Sequence, residues 1–185
     1  MKLNQKHTKK HGGIEGVLKR TRKPGTVEVG IIDAGKHADG KMTIASIAWV
    51  HEFGARINHP GGTPYMINDE GMAVFLPIGD SRATGMTKPH IIDIPERSFF
   101  RSTLVEKHKF YLGFKTKLLR KVLKGDYDIK KSLGLLGLQV SSDIKQKIVD
   151  IASPPNSAAT IRRKKSANPL VDTGQMKNSI TYEVI

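Results

Sequence analysis

The segment from Gly30 to His37 is the stretch of this sequence that comes closest to a known catalytic motif. It nearly matches the phosphate-binding loop GxxxxGK[ST], in which backbone amides and a lysine hold nucleotide phosphates and a hydroxyl binds magnesium. His37 replaces that hydroxyl, and Ile31 and Ile32 continue a strand pattern into the loop. The segment Ala38-Asp-Gly40 is a poor start for the helix that the motif requires. We therefore expect neither nucleotide binding nor any other cofactor.

Histidines offer a second kind of chemistry, because imidazole nitrogens are common ligands of zinc. The pair His51-Glu52 matches the start of the zinc-protease motif HExxH, but Ala55 stands where the second histidine is needed. His59 and His90 lie at the ends of a predicted hairpin and could meet there with His51. The favoured interpretation is that all three are ordinary loop and helix-end histidines, so no metal site is expected.

Carboxylates could also hold magnesium for a nuclease, but their spacing pairs no two of them on one element. The carboxylates concerned are Asp33, Asp39, Asp69, Glu70 and Asp80. No nucleophile-elbow pattern surrounds any serine, and the chain has no cysteine, so thiol chemistry and disulfides are excluded. We expect no catalytic residue and a protein that is not an enzyme, with a metal-dependent nuclease as the second alternative function.

The positive charge of the chain is concentrated at two places. The formal net charge is +14, to which residues 1–24 contribute +7 and residues 154–168 contribute +4. Basic segments bind DNA without sequence preference, or bind acidic surfaces of partner proteins. A non-specific DNA-binding accessory protein is therefore the first alternative function. The candidate contacts to DNA or to a partner are Lys9, Lys10, Lys19, Arg20, Arg162, Arg163, Lys164 and Lys165.

The 185 residues suffice for one hydrophobic core and contain no apolar run long enough to span a membrane. The predicted fold class is α+β, with a small mixed or antiparallel sheet covered by two long helices and one shorter helix. Residues 1–25 are predicted to be a basic arm with a short helix, and 26–185 a single domain. The predicted helices are 43–53, 96–124 with a kink at Gly113, and 128–152. The predicted strands are 26–33, 72–77, 91–94 and 180–185. Within the domain, residues 55–95 are predicted to be a hairpin insertion and residues 153–169 a basic linker.

The last seventeen residues combine a helix start with a strand. Asp172 is a good N-cap for a short helical turn, with Gln175 completing a capping box and Val171 packing on Met176. From Ile180 onwards apolar residues alternate with polar ones, which predicts a half-buried strand. The chain is thus expected to end within the fold.

Three stretches carry a resemblance to a known family. They are Leu170-Val-Asp-Thr-Gly-Gln-Met-Lys-Asn-Ser-Ile180, preceded by Thr160-Ile-Arg-Arg-Lys164; His51-Glu-Phe-Gly54; and Ile94-Pro-Glu-Arg-Ser-Phe-Phe-Arg101. In order and spacing they resemble the neck and tail-completion proteins of long-tailed bacteriophages, over about residues 26 to 185. The segment Asn58–His90 is longer than in the shortest members. The resemblance implies structural roles for Glu52, Phe53, Gly54, Pro95, Arg97, Phe99, Asp172, Thr173, Gly174 and Ser179.

The function implied by this resemblance is that of a virion structural protein at the head–tail junction. Such a protein acts in tail completion or head–tail joining, is assembled in the host cytoplasm and resides in the neck of the virion. The implied partners are copies of the chain itself in a ring, a hexamer being one candidate, and adjacent neck, tail-terminator or tail-tube proteins. Non-specific contact with DNA is a further expectation, and no contact with a membrane is expected.

Overall fold

The computed structural model describes residues 13–22, 25–32, 35, 42–164 and 166–185. Lys9, Lys10 and Lys165 lie outside the described residues, as do the side chain of Arg163 and most of the sequence between Gly30 and Gly40. Within the described residues no helix is both long and apolar enough to cross a membrane.

The fold is α+β, as predicted. The helices are α1 (Gly13–Thr21), α2 (Ile44–Phe53), α3 (Phe100–Glu106), α4 (His108–Lys124), α5 (Ile129–Asp150), α6 (Ala158–Lys164) and α7 (Gln175–Asn178). The strands are β1 (Val27–Gly30), β2 (Ala55–His59), β3 (Pro64–Ile67), β4 (Ala73–Phe75), β5 (Gly85–Met86), β6 (His90–Ile94) and β7 (Thr181–Val184).

The strands of the described residues form three separate antiparallel sheets, so the prediction of one sheet is wrong. Strand β1 pairs with β7, β2 pairs with β6, and β3 lies between β4 and β5. The predicted strands 72–77 and 91–94 do not pair with each other, because each pairs with a strand that the prediction omitted. The terminal strand is confirmed, with Val27 opposite Val184 and Gly30 opposite Thr181.

The core lies along one face of α5, where Val140, Ile144 and Ile148 are buried at a spacing of four residues. Phe99, Ile180 and other apolar side chains from α2, α4 and the C-terminal segment complete it. Gly137 and Ser141 lie on the same side of α5 and are also buried, as is Ser132 in its first turn. The β1–β7 sheet packs on α5, and small residues on that helix let the sheet approach closely.

Two glycines of α5 differ in how closely Tyr182 of β7 approaches them. A Cβ atom at Gly137 would lie 2.5 Å from a ring carbon of Tyr182 and 2.7 Å from a methyl of Val27, whereas at Gly134 the nearest atom is the Tyr182 hydroxyl at 3.8 Å. Alanine favours a helix over glycine by about 1 kcal/mol, but overpacking costs about 1–3 kcal/mol.

We therefore expect Gly134→Ala to raise the free energy of unfolding by up to about 1 kcal/mol and Gly137→Ala to lower it by about 1–2 kcal/mol. Urea titration followed by circular dichroism measures both. Equal effects from the two changes would contradict the close packing of the sheet on α5.

The predicted helix 96–124 is two helices in the structure. Residues 96–99 are not helical, and the break lies at Lys107 and not at Gly113, which sits inside α4. The break lets two side chains converge on Asp143 of α5: Lys107 Nζ donates at 2.7 Å and the Tyr111 hydroxyl at 2.9 Å. The helix end at Gly125, in the left-handed conformation, is confirmed.

Residues 55–95 form an antiparallel ribbon, β2–β6, that carries the three-stranded sheet β4-β3-β5; we call this segment the arm. The hairpin-like insertion is thus present, although its strands differ from those predicted. In the described part of the chain the three-stranded sheet makes no extensive contact with any helix. Most residues of β2, β4 and β6 are exposed. The arm therefore projects from the helical part of the molecule.

Candidate functional site

Glu52, in the last turn of α2, connects that helix to the start of α3. Its carboxylate is 4% exposed and accepts five hydrogen bonds. The donors are Ser98 Oγ (2.7 Å), Phe99 N (2.8 Å), Phe100 N (2.9 Å), Arg101 N (3.0 Å) and Arg101 Nε (3.1 Å). The first N–H groups of a helix have no partner within the helix, so Glu52 caps α3 from a different element.

These hydrogen bonds also decide the charge of Glu52. Burial raises the pKa of the carboxyl, but hydrogen bonds from Arg101, Phe100, Ser98 and Phe99 lower it by more in sum, so the pKa lies below its ordinary value. A carboxylate with five donors has no free lone pair directed at a substrate. Glu52 therefore caps α3, with both of its carboxylate oxygens occupied by hydrogen bonds from the chain.

Arg97 fastens the same region to the segment that follows α5. Its side chain is buried, with Nε donating to the Pro154 carbonyl at 2.7 Å and Nη2 to the Pro155 carbonyl at 3.1 Å. Its backbone N–H donates to the His51 carbonyl at 2.7 Å. One residue thus ties together the end of α2, the approach to α3 and the chain beyond α5.

The three stretches that carry the family resemblance meet around one cleft of about 890 Å³, which we call the motif cleft. One wall comes from α2 and the approach to α3, and the other from α6 and the C-terminal segment. The polar side chains that line it include His51, Arg97, Thr160, Lys164, Asp172 and Thr173. Residues far apart in the sequence thus line one cleft.

His51 is the unusual residue of the motif cleft. Its Nδ1 atom is buried and has no hydrogen-bond partner among the described residues. Burial, and then the positive charges of Arg97 and Lys164, lower the pKa of His51 from 6.5 to about 4. The imidazole is therefore neutral at physiological pH, and nothing in the sequence alone indicated this.

The C-terminal wall is held by a residue that the sequence analysis missed. Asn168 Oδ1 accepts from Leu170 N at 2.9 Å and Val171 N at 2.8 Å, while its Nδ2 donates to the Val149 carbonyl at 2.8 Å. This Asx turn docks the terminal segment onto the end of α5. An asparagine directly before Pro169 is the signal that could have revealed it.

The predicted cap of the terminal helix is wrong. The N-cap of α7 is Gly174, in the left-handed conformation, and not Asp172. Thr173 Oγ1 accepts from Gln175 N at 3.3 Å, and the Ser179 hydroxyl donates to the Gln175 carbonyl at 2.8 Å. A positive φ of 78° at Gly174 turns the chain after Asp172, which lies exposed at the cleft. Thr173, Gly174 and Ser179 thus shape the short helix α7 and the turn that leads into it.

The predicted linker 153–169 contains a helix, α6, so its description as a linker is wrong. Ser157 begins the helix, since its hydroxyl accepts from Thr160 N at 3.2 Å. The Lys164 ammonium donates to the carbonyls of Asn168 and Pro169 at 3.3 and 3.4 Å. Lys164 therefore folds back onto the C-terminal wall, whereas Arg162 points to solvent.

Two residues of the motif stretches, Phe53 and Arg101, form an exposed surface beside Glu52 together with Trp49 and Val105. The Trp49 and Phe53 rings are 4.3 Å apart, and the Arg101 guanidinium lies 4.5 Å from the centre of the Phe53 ring. Trp49 is 65% exposed and Val105, one turn beyond Arg101, is 76% exposed. We call Trp49, Phe53, Arg101 and Val105 the aromatic patch. Tryptophan, phenylalanine and arginine are the residue types most enriched at protein interfaces.

Gly54 lies at the base of the arm, close to the chain on either side of Pro95, and Pro95 itself lines the motif cleft. Gly54 has φ of 72°, and a Cβ there would lie 3.0 Å from the Ile94 carbonyl and from Glu96 N. Only glycine allows the chain to leave α2 this close to the approach to α3.

The end of the arm is also apolar. Its exposed side chains, which we call the arm tip, are Ile67, Val74, Phe75, Ile78 and Met86.

Of the three histidines considered as a metal site, only two lie together. His59 and His90 face each other across the β2–β6 ribbon with rings 4.9 Å apart. His59 Nδ1 accepts from Gly61 N at 3.0 Å, and His90 Nδ1 lies 2.8 Å from the Lys88 carbonyl. His51 is not part of this pair: among the described residues no group of three or more histidines or carboxylates is placed to hold a metal ion.

Two of the N-terminal basic candidates, Lys19 and Arg20, lie on α1, which packs against α4. Arg20 Nε donates to the Val122 carbonyl at 3.1 Å and Nη2 to the Leu123 carbonyl at 3.0 Å, so Arg20 anchors α1 to the end of α4. Lys19 is exposed.

No protein-family model, no curated protein and no solved structure matches this chain.

Proposed function

We propose that this chain is a structural protein of the neck of a long-tailed bacteriophage virion, and that it acts in tail completion or head–tail joining by assembling with copies of itself into a ring. The assignment to a bacteriophage virion rests on the family resemblance. The motif cleft supports this assignment, because the stretches that carry the resemblance converge there and serve structural roles. Adjacent neck, tail-terminator or tail-tube proteins would dock on the ring.

The observation that carries the assembly part of the proposal is the amount of apolar surface. Twenty-three large apolar side chains are exposed in the described part of the chain, whereas twelve hydrophobic side chains are buried in its core. Scattered apolar residues are normal on a surface, but contiguous patches mark interaction sites. The aromatic patch is one such patch, and the arm tip exposes apolar side chains on both faces of its small sheet.

The arm also argues for a partner. A ribbon with both faces exposed is marginally stable by itself in water and needs packing against another surface. The arm carries four acidic and three basic residues, which gives a charge of −1 within a chain of net charge +14. A second copy therefore offers the arm a surface of opposite charge. When the arm of one copy docks on the helical part of the next, the contact is head-to-tail. A series of such contacts forms a ring when the rotation from one copy to the next closes.

Two alternatives receive different support. A metal-dependent nuclease gains none from the described residues, which provide no group of three candidate ligands. A DNA-binding protein is compatible with the basic charge, but DNA binding alone gives no account of the exposed arm and aromatic patch.

The test combines oligomeric state with particle assembly. We expect native mass spectrometry of the purified chain to show a closed ring, and Phe75→Ser with Met86→Ser to raise the dissociation constant of the ring at least 100-fold. The phage carrying this double change should yield filled heads and free tails in electron micrographs. The matched control is Leu138→Ser with Val149→Ser, two exposed changes on α5. Infectious particles formed normally without the protein would refute the proposal.

A further inference from the structure

The outer side of α4 is strongly and uniformly basic. The helix contains six Lys or Arg residues and no acidic residue. At about 100° per residue, five of the six fall within one arc of about 120°. These five, which we call the basic face, are Lys109, Lys117, Arg120, Lys121 and Lys124, and all are exposed. This charge lies in the folded part of the chain, outside the two basic segments that the composition singled out.

The basic face has almost no counter-charge of its own. The ion pairs among the described residues all involve other cations, namely Arg56, Arg82, Arg101, Lys107 and Lys147. Lys121 alone in the face has a described partner, the Tyr127 ring at 5.0 Å. The other four cations therefore present their charge to solvent.

This arrangement is locally unfavourable for the helix. Lys117 and Lys121, and likewise Arg120 and Lys124, are four residues apart, where like charges repel and destabilise a helix. Cations in the last turn are stabilised by the helix dipole, which accounts for Lys121 and Lys124 but not for Lys109 or Lys117. A helix surface that serves only to face solvent normally mixes acidic and basic residues. The face therefore fits a bound polyanion better than bare solvent.

We infer that the basic face of α4 binds the phosphodiester backbone of duplex DNA. From Lys109 to Lys124 the helix rises about 22 Å, so its cations form a line instead of converging on one point. A line of charges fits a linear polyanion, and double-stranded DNA carries about one negative charge per 1.7 Å of its axis. No base-reading side chain is required, so binding is independent of sequence. The inference uses a surface different from the aromatic patch and the arm tip.

The experiment measures binding of the full chain to a 20-base-pair duplex by fluorescence anisotropy between 50 and 300 mM KCl. We expect the logarithm of the association constant to fall linearly with the logarithm of the KCl concentration. The variant with Lys109→Gln, Lys117→Gln, Arg120→Gln and Lys124→Gln should bind at least 10-fold more weakly at 100 mM KCl. The slope of this line should be smaller in magnitude by up to about 3.6, because each of the four lost phosphate contacts contributes about 0.9.

The matched control removes the same charge from exposed or half-exposed positions outside α4: Lys88→Gln, Lys130→Gln, Lys145→Gln and Lys177→Gln. It should keep the wild-type slope to within about 1. Equal losses in both variants would show an effect of net charge alone and overturn the inference.

Absence of binding by the wild type at 50 mM KCl would also overturn it, and would leave an acidic protein surface as the partner. Tighter binding to single strands that is lost with Phe110→Ala would overturn the duplex assignment, because Phe110 is half exposed beside the face. Ring formation, measured on the same samples, should be unchanged, so failure here is distinct from failure of the proposed function.

Discussion

Replacing Glu52 by alanine is expected to lower the free energy of unfolding by about 3–5 kcal/mol, the range found when one partner of a buried charged network is removed. The change leaves three backbone N–H groups at the start of α3 and the Ser98 hydroxyl without their acceptor. Arg101 loses one of its two carboxylate partners. A folded domain has only about 5–15 kcal/mol of stability in total, so a large share would be lost.

The chain offers a matched control for this change. Glu96 also pairs with Arg101, at 2.7 Å, but its side chain is 54% exposed. Exposed ion pairs contribute about 0–1 kcal/mol, so Glu96→Ala should have little effect. Glu52→Gln should restore only part of the loss, because its amide NH₂ would face N–H donors. Urea unfolding of the three variants decides the matter, and a loss below about 1 kcal/mol for Glu52→Ala would contradict the capping role.

The second large effect is a loss of stability on mild acidification, caused by His51. The folded state keeps the imidazole neutral down to a pKa of about 4, whereas the unfolded chain binds a proton below about pH 6.5. Between these values the unfolded state binds more protons, so the free energy of unfolding falls as the pH falls. We expect a loss of about 2–3 kcal/mol between pH 7 and pH 4, after allowance for the partial exposure of His51.

The His51→Leu variant isolates this contribution. The stability of the wild type should fall relative to that of the variant as the pH is lowered through this window. Glu52 and Asp143 have lowered pKa values in the folded state, so their contributions are lost at lower pH, below about 4.5 and 3.8 respectively.

Direct titration of the His51 imidazole by NMR gives its pKa in the folded chain. Lys164→Gln should raise that pKa, because it removes a positive charge beside the ring. A pKa near 6.5 in the wild type would contradict the buried environment of His51.

Periodic and capped elements could be predicted from the sequence because local chemistry decides them. The helix predicted over 128–152 is α5, whose buried apolar residues recur every four positions. The helix predicted to begin at residue 43 is α2, and Thr43 caps it by accepting from Ser46 N at 3.1 Å. The terminal strand followed from simple alternation. The α+β class is correct for the same reason, since long periodic segments suffice to assign it.

The errors arose where distant residues override local pattern. Residues 96–99 have helical neighbours, yet their N–H groups and side chains are held by Glu52, His51 and the segment after α5. The pairing of β2 with β6 and of β3 with β4 in the arm could not be predicted, because no local spacing encodes which strands pair. The role of His51 required knowledge of its burial beside Arg97 and Lys164.

The pairing of β1 with β7 has a consequence for biosynthesis. Val27 and Val184 lie side by side although 157 residues separate them in the chain, and Thr26 and Ile185 exchange two backbone hydrogen bonds beyond them. A nascent chain on the ribosome cannot close this sheet over the Gly137 side of α5 until Val184 has been translated. Contacts between residues so far apart in sequence slow folding, because the long loop between them must be closed first. The sheet on this side of α5 is therefore expected to be among the slower parts of the fold to form.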